Sequence, residues 1–276
     1  MTPPAPLVVT NPWQQLRQFT AARIALGRSG VSVPTQPQLA FQLAHARARD
    51  AVHLGLDVSQ LLQDLEGAGL AIANDVLVLA SAAADRLTYL QRPDLGRRLN
   101  DASRDALQAR MQPDPQRGYA IAFVIADGLS ARAVAQNAVP LMVAVIRQIA
   151  PENWSMAPLA IVSQARVAVG DEIGELLHAR LVVLLIGERP GLSSPDSLGV
   201  YMTWMPRVGL TDASRNCISN IRPAGLSPEA AALKLYHLAL AMQQRRLSGV
   251  LLKDETDGAA AVLDTQQANF LLAQGD

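Results

Sequence analysis

The sequence predicts an α/β fold: a mainly helical N-terminal region over residues 1–112, then a Rossmann-like, mostly parallel sheet with helices on both faces over residues 113–276. Three short apolar runs in the second part are bounded by turn residues and predict strands, at residues 120–126, 159–163 and 181–186. Helical patterns separate these runs, and strands that alternate with helices form parallel sheets with right-handed crossovers. The run at 181–186 is entirely apolar, which is typical of a strand buried on both faces.

Length and composition limit the possible classes of protein. The chain has 276 residues, of which 50% are hydrophobic and 17% charged, so it can bury a large core and is not a disordered chain. Lys plus Arg (24) equal Asp plus Glu (24) and aromatic residues make up 4%, so we expect no nucleic-acid partner. The single cysteine, Cys217, excludes a disulfide framework and fits a reducing cytosol. No signal peptide or apolar run of ~20 residues is recognisable, so we expect a soluble intracellular protein with no membrane partner.

Caps and helical spacing predict the elements of the N-terminal region: helices over residues 12–26, 35–52, 57–66 and 103–111, and a strand over residues 75–80. Asn11 before Pro12 is a favourable start for the first helix. Thr35 with Gln38 has the spacing of a capping box at the start of the second helix. Residues 85–98 are polar and contain proline and glycine, so we expect a loop there. The proline-rich stretch after the last helix marks the predicted domain boundary.

The second part begins with a βα unit. After the strand at 120–126, Gly128 permits a tight turn and Ser130 is a favourable N-cap for the next helix. That helix contains Pro140, which lacks an amide hydrogen, so we expect the helix to kink or split. The remaining patterns predict a strand over residues 200–205 and helices over residues 170–179, 212–220, 227–247 and 258–273. Cys217 is therefore expected on a short helix.

Motifs for common catalytic chemistry are missing from the sequence. Neither G-x-G-x-x-G nor G-x-x-x-x-G-K-[ST] is present, so nothing supports a dinucleotide site or a P-loop. No serine lies in a G-x-S-x-G motif. The four histidines have neither the spacing nor the carboxylate partners of a metal site, so we expect no metal ligands.

The candidate binding residues follow the predicted strands. Glu188 and Arg189 come directly after the strand at 181–186, and open α/β sheets bind ligands at the carboxyl ends of their strands. A structural ion pair between the two residues explains the pattern equally well. The turn from Asp127 to Ser130 also has two interpretations, a ligand on exposed amides at a helix N-terminus or an ordinary βα turn. Cys217 alone is most simply a small buried hydrophobic residue.

Several longer runs together closely resemble the small (light) subunit of ethanolamine ammonia-lyase, and they occur in that family's order. They are residues 41–52 and 89–99, Ala126-Asp-Gly-Leu-Ser-Ala131, Gly187-Glu-Arg-Pro-Gly-Leu-Ser193 and Arg215-Asn-Cys-Ile-Ser-Asn-Ile-Arg-Pro223. The resemblance covers about residues 11–255 and leaves only the two termini outside it.

The resemblance implies a subunit of an adenosylcobalamin-dependent lyase that converts ethanolamine to acetaldehyde and ammonia by radical chemistry. In that family a large subunit holds the substrate in a TIM barrel, and the small subunit helps to bind and enclose the cobalamin. The family's cobalamin contacts fall on Val167 in residues 164–170, on Glu188 in Gly-Glu-Arg-Pro and on Cys217 in Arg-Asn-Cys-Ile. The region 113–276 is then the part that contacts cobalamin, and no catalytic or metal-ligating residue is assigned to this chain.

The resemblance further implies a hetero-oligomer with the large subunit, in the cytoplasm and within a bacterial microcompartment. One alternative is a scaffold or targeting subunit of an ethanolamine-utilisation microcompartment without cofactor contact, although the intact motifs around Glu188 and Cys217 argue against it. Another is an independent α/β enzyme, which requires activity from this chain alone. Copurification with a large-subunit partner separates these functions.

Overall fold

The computed structural model describes residues 7–111 and 118–253. Its strands are β1 (Val76–Ala80), β2 (Tyr119–Ala126), β3 (Leu159–Ser163), β4 (Ala179–Gly187), β5 (Leu198–Trp204) and β6 (Arg215–Ile221). They form a six-stranded sheet in the order β1-β3-β2-β4-β5-β6. The first four strands are parallel, and β5 and β6 extend the sheet with antiparallel pairings. The predicted mixed α/β fold with a mostly parallel sheet is confirmed.

The helices are α1 (Thr35–His53), α2 (Val58–Gly67), α3 (Arg86–Gln91), α4 (Asp101–Met111), α5 (Ala131–Ile149), α6 (Val169–Leu176) and α7 (Pro228–Arg245). Alternate side chains of β2 point to opposite faces of the sheet. Ile121 and Phe123 pack in a core with α2, α5 and α7, whereas Ala122 and Val124 pack in a second core with α4 and α6. The prediction of helices on both faces is therefore confirmed.

The strand order creates a switch point at β2. Helix α5 leads from β2 to β3 on one side, and α6 then leads from β3 to β4 on the other side of β2. The loops after β2, β3 and β4 consequently end at the same edge of the sheet. In open α/β sheets, ligands bind in the crevice at such a point.

Three predictions for the N-terminal region are wrong: the helix over residues 12–26, the loop over residues 85–98 and the capping box at Thr35. The helix predicted over residues 12–26 is a short 3-10 helix, Pro12–Gln18, although Asn11 does cap it by accepting from Trp13 N. None of its residues is buried, so no packing extends it. The loop predicted over residues 85–98 contains α3, because Asp85 caps that helix and Tyr89 is fully buried. Helix α1 lies where it was predicted, but its N-cap is Pro34, which makes no side-chain capping bond.

A fourth wrong prediction concerns residues 212–220. A 3-10 helix, Asp212–Ser214, is followed by β6, so Cys217 lies on a strand and not on a short helix. Arg215, Ile218 and Ile221 are buried, and β6 completes its backbone hydrogen bonds with β5. The polar residues between them concealed this strand, because an edge strand needs few apolar residues. The predicted helix over residues 258–273 lies outside the described residues.

Helix α5 is not split at Pro140. Pro140 has no N–H to donate to the carbonyl of Gln136, its usual partner in an α-helix. Both residues are exposed, so water can donate to that carbonyl instead. Residues Ala131–Glu152 have the length and mean hydropathy, 1.3, of a membrane span. Half of that window (50%) is buried inside the protein, between the sheet and α7, as expected for a core helix.

The boundary predicted near residue 112 stays a prediction. Strand β1 precedes that boundary and is hydrogen bonded along its whole length to β3, from Val76 opposite Leu159 to Ala80 opposite Ser163. The sheet therefore takes a strand from each side of the predicted boundary.

Candidate ligand-binding crevice

A cavity of about 410 Å³ lies at the carboxyl edge of the sheet. The loops after β2, β3 and β4 line it, with contributions from α3 and β5; the lining includes Gly128, Arg166, Val167, Glu188, Arg189, Tyr89 and Tyr201. A cavity of about 540 Å³ beside the N-terminal 3-10 helix has neither a strand nor an acidic side chain in its lining. The carboxyl edge is therefore the candidate site.

Close backbone packing shapes the floor of this crevice. Gly128 has a φ of +57°, and a Cβ there would lie 2.2 Å from the carbonyl oxygen of Gly187. A Cβ on Gly187 would in turn lie 2.1 Å from the carbonyl oxygen of Ser130. Ser130 caps α5 by accepting from Ala133 N, as predicted. The turn after β2 thus packs directly on the end of β4, which only glycine permits.

Glu188 is the first residue after β4 and is held by the chain itself. The hydroxyl of Ser197 donates to its Oε2 at 2.5 Å, and the hydroxyl of Ser219 donates to its Oε1 at 2.5 Å. The backbone N–H of Asn220 donates to Oε2 at 3.2 Å. A carboxylate has about four acceptor positions, so these bonds leave about one for a ligand.

The alternative of a structural ion pair is not supported. Among the residues described, no salt bridge joins Glu188 to Arg189. Arg189 is exposed at the crevice, whereas the hydrogen bonds of Glu188 connect β4 to the segment before β5 and to β6. Glu188 therefore organises this edge of the sheet and also faces the cavity.

Val167 lies in the loop after β3, next to Arg166, and both residues line the cavity. The backbone N–H of Arg166 donates to the carbonyl of Gly96 at 2.7 Å, and its guanidinium lies 4.4 Å from the centre of the Tyr89 ring. The Tyr89 hydroxyl donates to the carbonyl of Ala165 at 3.1 Å. Burial raises the pKa of Tyr89 against the opposing charge of Arg166, so the phenol remains a donor.

Beneath the loops, Asp127 joins three parts of the chain. Its carboxylate accepts from the N–H groups of Gln164 and Ala165 at 2.9 and 3.0 Å and from Arg86 Nη1 at 3.2 Å. Arg86 also donates to the carbonyls of Gly128 and of a residue in α1. Burial raises the pKa of Asp127, and the two amides and Arg86 oppose that rise. The turn from Asp127 to Ser130 therefore has a definite role in fixing the loop after β3.

Cys217 lies one strand away from the cavity. It is opposite Tyr201 in the β5–β6 pairing, so the two side chains lie on the same face of the sheet. Although Cys217 is exposed as a residue, partial desolvation of the thiol raises its pKa, and the charge of Glu188 raises it further. Tyr201 opposes this rise but does not overcome it. The thiol is therefore predominantly neutral at physiological pH.

The three residues that the family resemblance selects thus lie near one another, but only two of them line the cavity. Val167 and Glu188 line the cavity together, and Cys217 adjoins it through Tyr201. Their role in cofactor binding stays a prediction. The sequence analysis missed Tyr89, Arg166 and Tyr201. Arg166 could have been found, because it stands beside Val167 in the same motif, whereas only the strand pairing identifies Tyr201.

The fold and the crevice define a class of protein: an α/β protein whose candidate ligand site lies at the switch point of a mostly parallel sheet. Across residues 7–111 and 118–253, no group of three or more His, Cys, Asp or Glu side chains could hold a metal ion. The buried acidic residue at the crevice, Asp127, is engaged by the chain's own donors.

Comparison with known proteins identifies the family. The profile described as "Ethanolamine ammonia-lyase light chain (EutC)" matches residues 10–253. An ethanolamine ammonia-lyase small subunit of Ralstonia nicotianae is 57% identical over 265 residues, covering 96% of this chain and 96% of the relative. The small subunit of Azotobacter vinelandii is 57% identical over 268 residues, covering 96% of this chain and 97% of the relative. The chain belongs to the ethanolamine ammonia-lyase light-chain family.

Proposed function

We propose that this chain helps to bind and enclose adenosylcobalamin in an ethanolamine ammonia-lyase, a carbon–nitrogen lyase that is active only with a large subunit. The observation that carries the proposal is that Val167 and Glu188, on which the family resemblance places cobalamin contacts, line one cavity at the sheet edge. Cys217 adjoins that cavity through Tyr201. The name "small subunit" of the relatives supports a large-subunit partner.

The side chains of the cavity fit one edge of a corrinoid. Glu188 keeps an acceptor position, and the amide groups around a corrin ring are neutral donors that a carboxylate can accept. Val167 adds an apolar contact beside it. The cavity of about 410 Å³ is far smaller than a corrinoid, so most of the ligand would be covered by the partner. When bound, the cofactor supplies radical chemistry, and residues of this chain orient it and exclude water.

In this proposal the chain has a binding role, and ethanolamine is bound and converted to acetaldehyde and ammonia on the large subunit. We place the hetero-oligomer in the cytoplasm, within a bacterial microcompartment. The competing function, a microcompartment scaffold without cofactor contact, would use Glu188 only to hold this edge of the sheet together and would leave its remaining acceptor position without a ligand. Corrinoid binding by the complex therefore separates the two functions.

The decisive experiment uses the purified full-length chain with and without its large subunit. We expect no turnover of ethanolamine by the chain and adenosylcobalamin alone, and turnover after the large subunit is added. In the complex, Glu188→Gln should weaken cobalamin binding by roughly one to two orders of magnitude, since a hydrogen bond to a charged group contributes about 1.5 to 3 kcal/mol. The apparent affinity for ethanolamine at saturating cofactor should hardly change.

A matched control is Glu175→Gln. Glu175 also accepts a backbone hydrogen bond, from Val208 N at 2.8 Å, but does not line the cavity. This variant should bind cobalamin normally. Turnover by the chain alone would contradict the subunit role. If the Glu188→Gln complex bound cobalamin normally but ethanolamine poorly, Glu188 would belong to the substrate site, and its assignment to cobalamin would be wrong.

A further inference from the structure

Two guanidinium groups lie over the ring of Tyr89, and within the described residues only one of them has an anionic partner. Arg86 lies 4.8 Å from the ring centre and pairs with Asp127 at 3.2 Å. Arg166 lies 4.4 Å from the same ring and has no carboxylate within salt-bridge distance in the described parts of the chain. Its Nε is buried without a hydrogen-bond partner, and Nη2 makes one long bond, 3.4 Å, to the carbonyl of Tyr89. Arg166 is thus a partly buried cation with most of its donors unused.

The charges around the cavity leave this cation uncompensated. Arg189 is a second guanidinium in the lining, and no salt bridge to it occurs within the described residues. The carboxylate in the lining, Glu188, already accepts three hydrogen bonds from the chain. Two positive charges therefore face one occupied negative charge. Withdrawing a charge from water without a partner is unfavourable, so the lining favours an anionic ligand group.

Arg166 is also held in place before any ligand arrives. A Cβ on Gly96 would lie 2.9 Å from Arg166 Cγ and 3.0 Å from Tyr89 Cδ2, so the stack is packed against that backbone. The Tyr89 hydroxyl is bonded to the carbonyl of Ala165, which fixes the ring on which the guanidinium lies. A pre-positioned guanidinium loses little conformational freedom on binding, which favours affinity.

We propose that Arg166, assisted by Arg189 at the exposed side, binds a phosphate-type anion of the ligand. The planar fork of a guanidinium matches the oxygens of a phosphate. This inference rests on the proposed function and names the ligand group: the phosphodiester of the nucleotide tail is the anionic group of cobalamin, whereas its peripheral amides are neutral. Glu188 and Arg166 then bind two different parts of the ligand: Glu188 accepts from a neutral amide, and Arg166 binds the phosphate.

The test compares three corrinoids in equilibrium dialysis with the complex of this chain and its large subunit. Adenosylcobalamin and adenosylcobinamide phosphate carry a phosphate, and adenosylcobinamide does not. Arg166→Gln should weaken binding of the first two by roughly ten- to a hundredfold and leave adenosylcobinamide unchanged. Arg166→Lys should recover part of the loss, since it keeps the charge but not the fork. Inorganic phosphate should compete with adenosylcobinamide phosphate in the wild-type complex and less in Arg166→Gln.

Arg180→Ala is the matched control, because Arg180 is an exposed arginine at the opposite end of β4. It should bind all three corrinoids as the wild type does. Equal weakening of all three by Arg166→Gln would show that Arg166 only shapes the crevice, and would overturn the phosphate assignment while leaving the proposed function intact. A wild-type complex that binds none of the three would overturn both. If the Arg166→Gln complex does not assemble, Arg189→Ala takes its place. That variant should bind the two phosphate-containing corrinoids less tightly than the wild type, by a smaller factor, and adenosylcobinamide equally well. Affinities that change by the same factor for all three corrinoids, or for none, would overturn the assignment.

Discussion

The carboxyl edge of the sheet and the N-terminal segment of residues 7–54 are held in place in different ways. At the edge, Asp127 and Glu188 accept hydrogen bonds from residues that are distant in sequence, and β2 is buried along almost its whole length. In the N-terminal segment, α1 is 19 residues long and Ala51 is its only buried residue. Trp13, Leu39 and Leu43 are 65%, 58% and 52% exposed.

This difference shows where the stability of the protein resides. The N-terminal segment is joined to the rest at a few points, such as Arg86 Nε to the carbonyl of Val52 at 2.8 Å and Arg23 Nη2 to the carbonyl of Leu192 at 3.3 Å. Its apolar side chains add little burial within this chain. Substitutions at the crevice should therefore lower the free energy of unfolding much more than substitutions in the segment.

The largest effect is expected for Asp127→Ala. This change removes one partner of a buried charged network and leaves Arg86 and the amides of Gln164 and Ala165 without their acceptor. We expect a loss of about 3 to 5 kcal/mol in the free energy of unfolding, measured by urea denaturation. Asp94→Ala is the control, since Asp94 and Arg92 form a pair whose side chains are 52% and 60% exposed. This variant should change the free energy of unfolding far less, because an exposed ion pair contributes little. Similar losses for both variants would show that the edge is not more strongly stabilised than the exposed surface.

A smaller effect, on a reaction rate, is expected at Cys217, which is exposed yet belongs to the edge. Partial desolvation and the charge of Glu188 raise the pKa of this thiol, so less thiolate is present at a given pH. At about pH 8, iodoacetamide should therefore react more slowly with Cys217 than with a cysteine in a short peptide, and the rates should converge at higher pH. Glu188→Gln should speed the reaction because it removes the negative charge. A rate equal to that of the peptide would show that the edge does not influence Cys217.

The smallest effect is expected for Leu43→Ala in α1. Because Leu43 is 52% exposed, the free energy of unfolding should change by no more than about 0.5 kcal/mol. The matched variant is Leu185→Ala in β4, where the side chain is fully buried and the loss should be about 2 to 5 kcal/mol. Thermal unfolding of both variants tests the comparison directly. A loss at Leu43 that approaches the loss at Leu185 would mean that α1 is part of the core.

Much of the fold could be predicted from the sequence because a strand that is buried on both faces consists almost entirely of apolar residues. The runs at 120–126, 159–163 and 181–186 had to be strands of a covered sheet, since a half-exposed strand would alternate with polar residues. Ser130 was recognised as a cap because its side chain bonds within its own turn. Glu188 was selected from its place after the strand at 181–186 and Val167 from the family resemblance, and they meet in the cavity because parallel strands end at one edge.

What only the tertiary structure decided depends on contacts between distant residues. Residues 215–221 became a strand because β5 offers an edge for pairing, and α3 formed because Tyr89 is buried there and its hydroxyl bonds to Ala165. The same pairing places Cys217 beside Tyr201. That Arg166 has no counterion among the described residues could not be predicted from the sequence either, since ion pairing depends on which residues surround a charge in space. Local patterns determine which segments form strands and helices, but long-range packing determines which side chains meet.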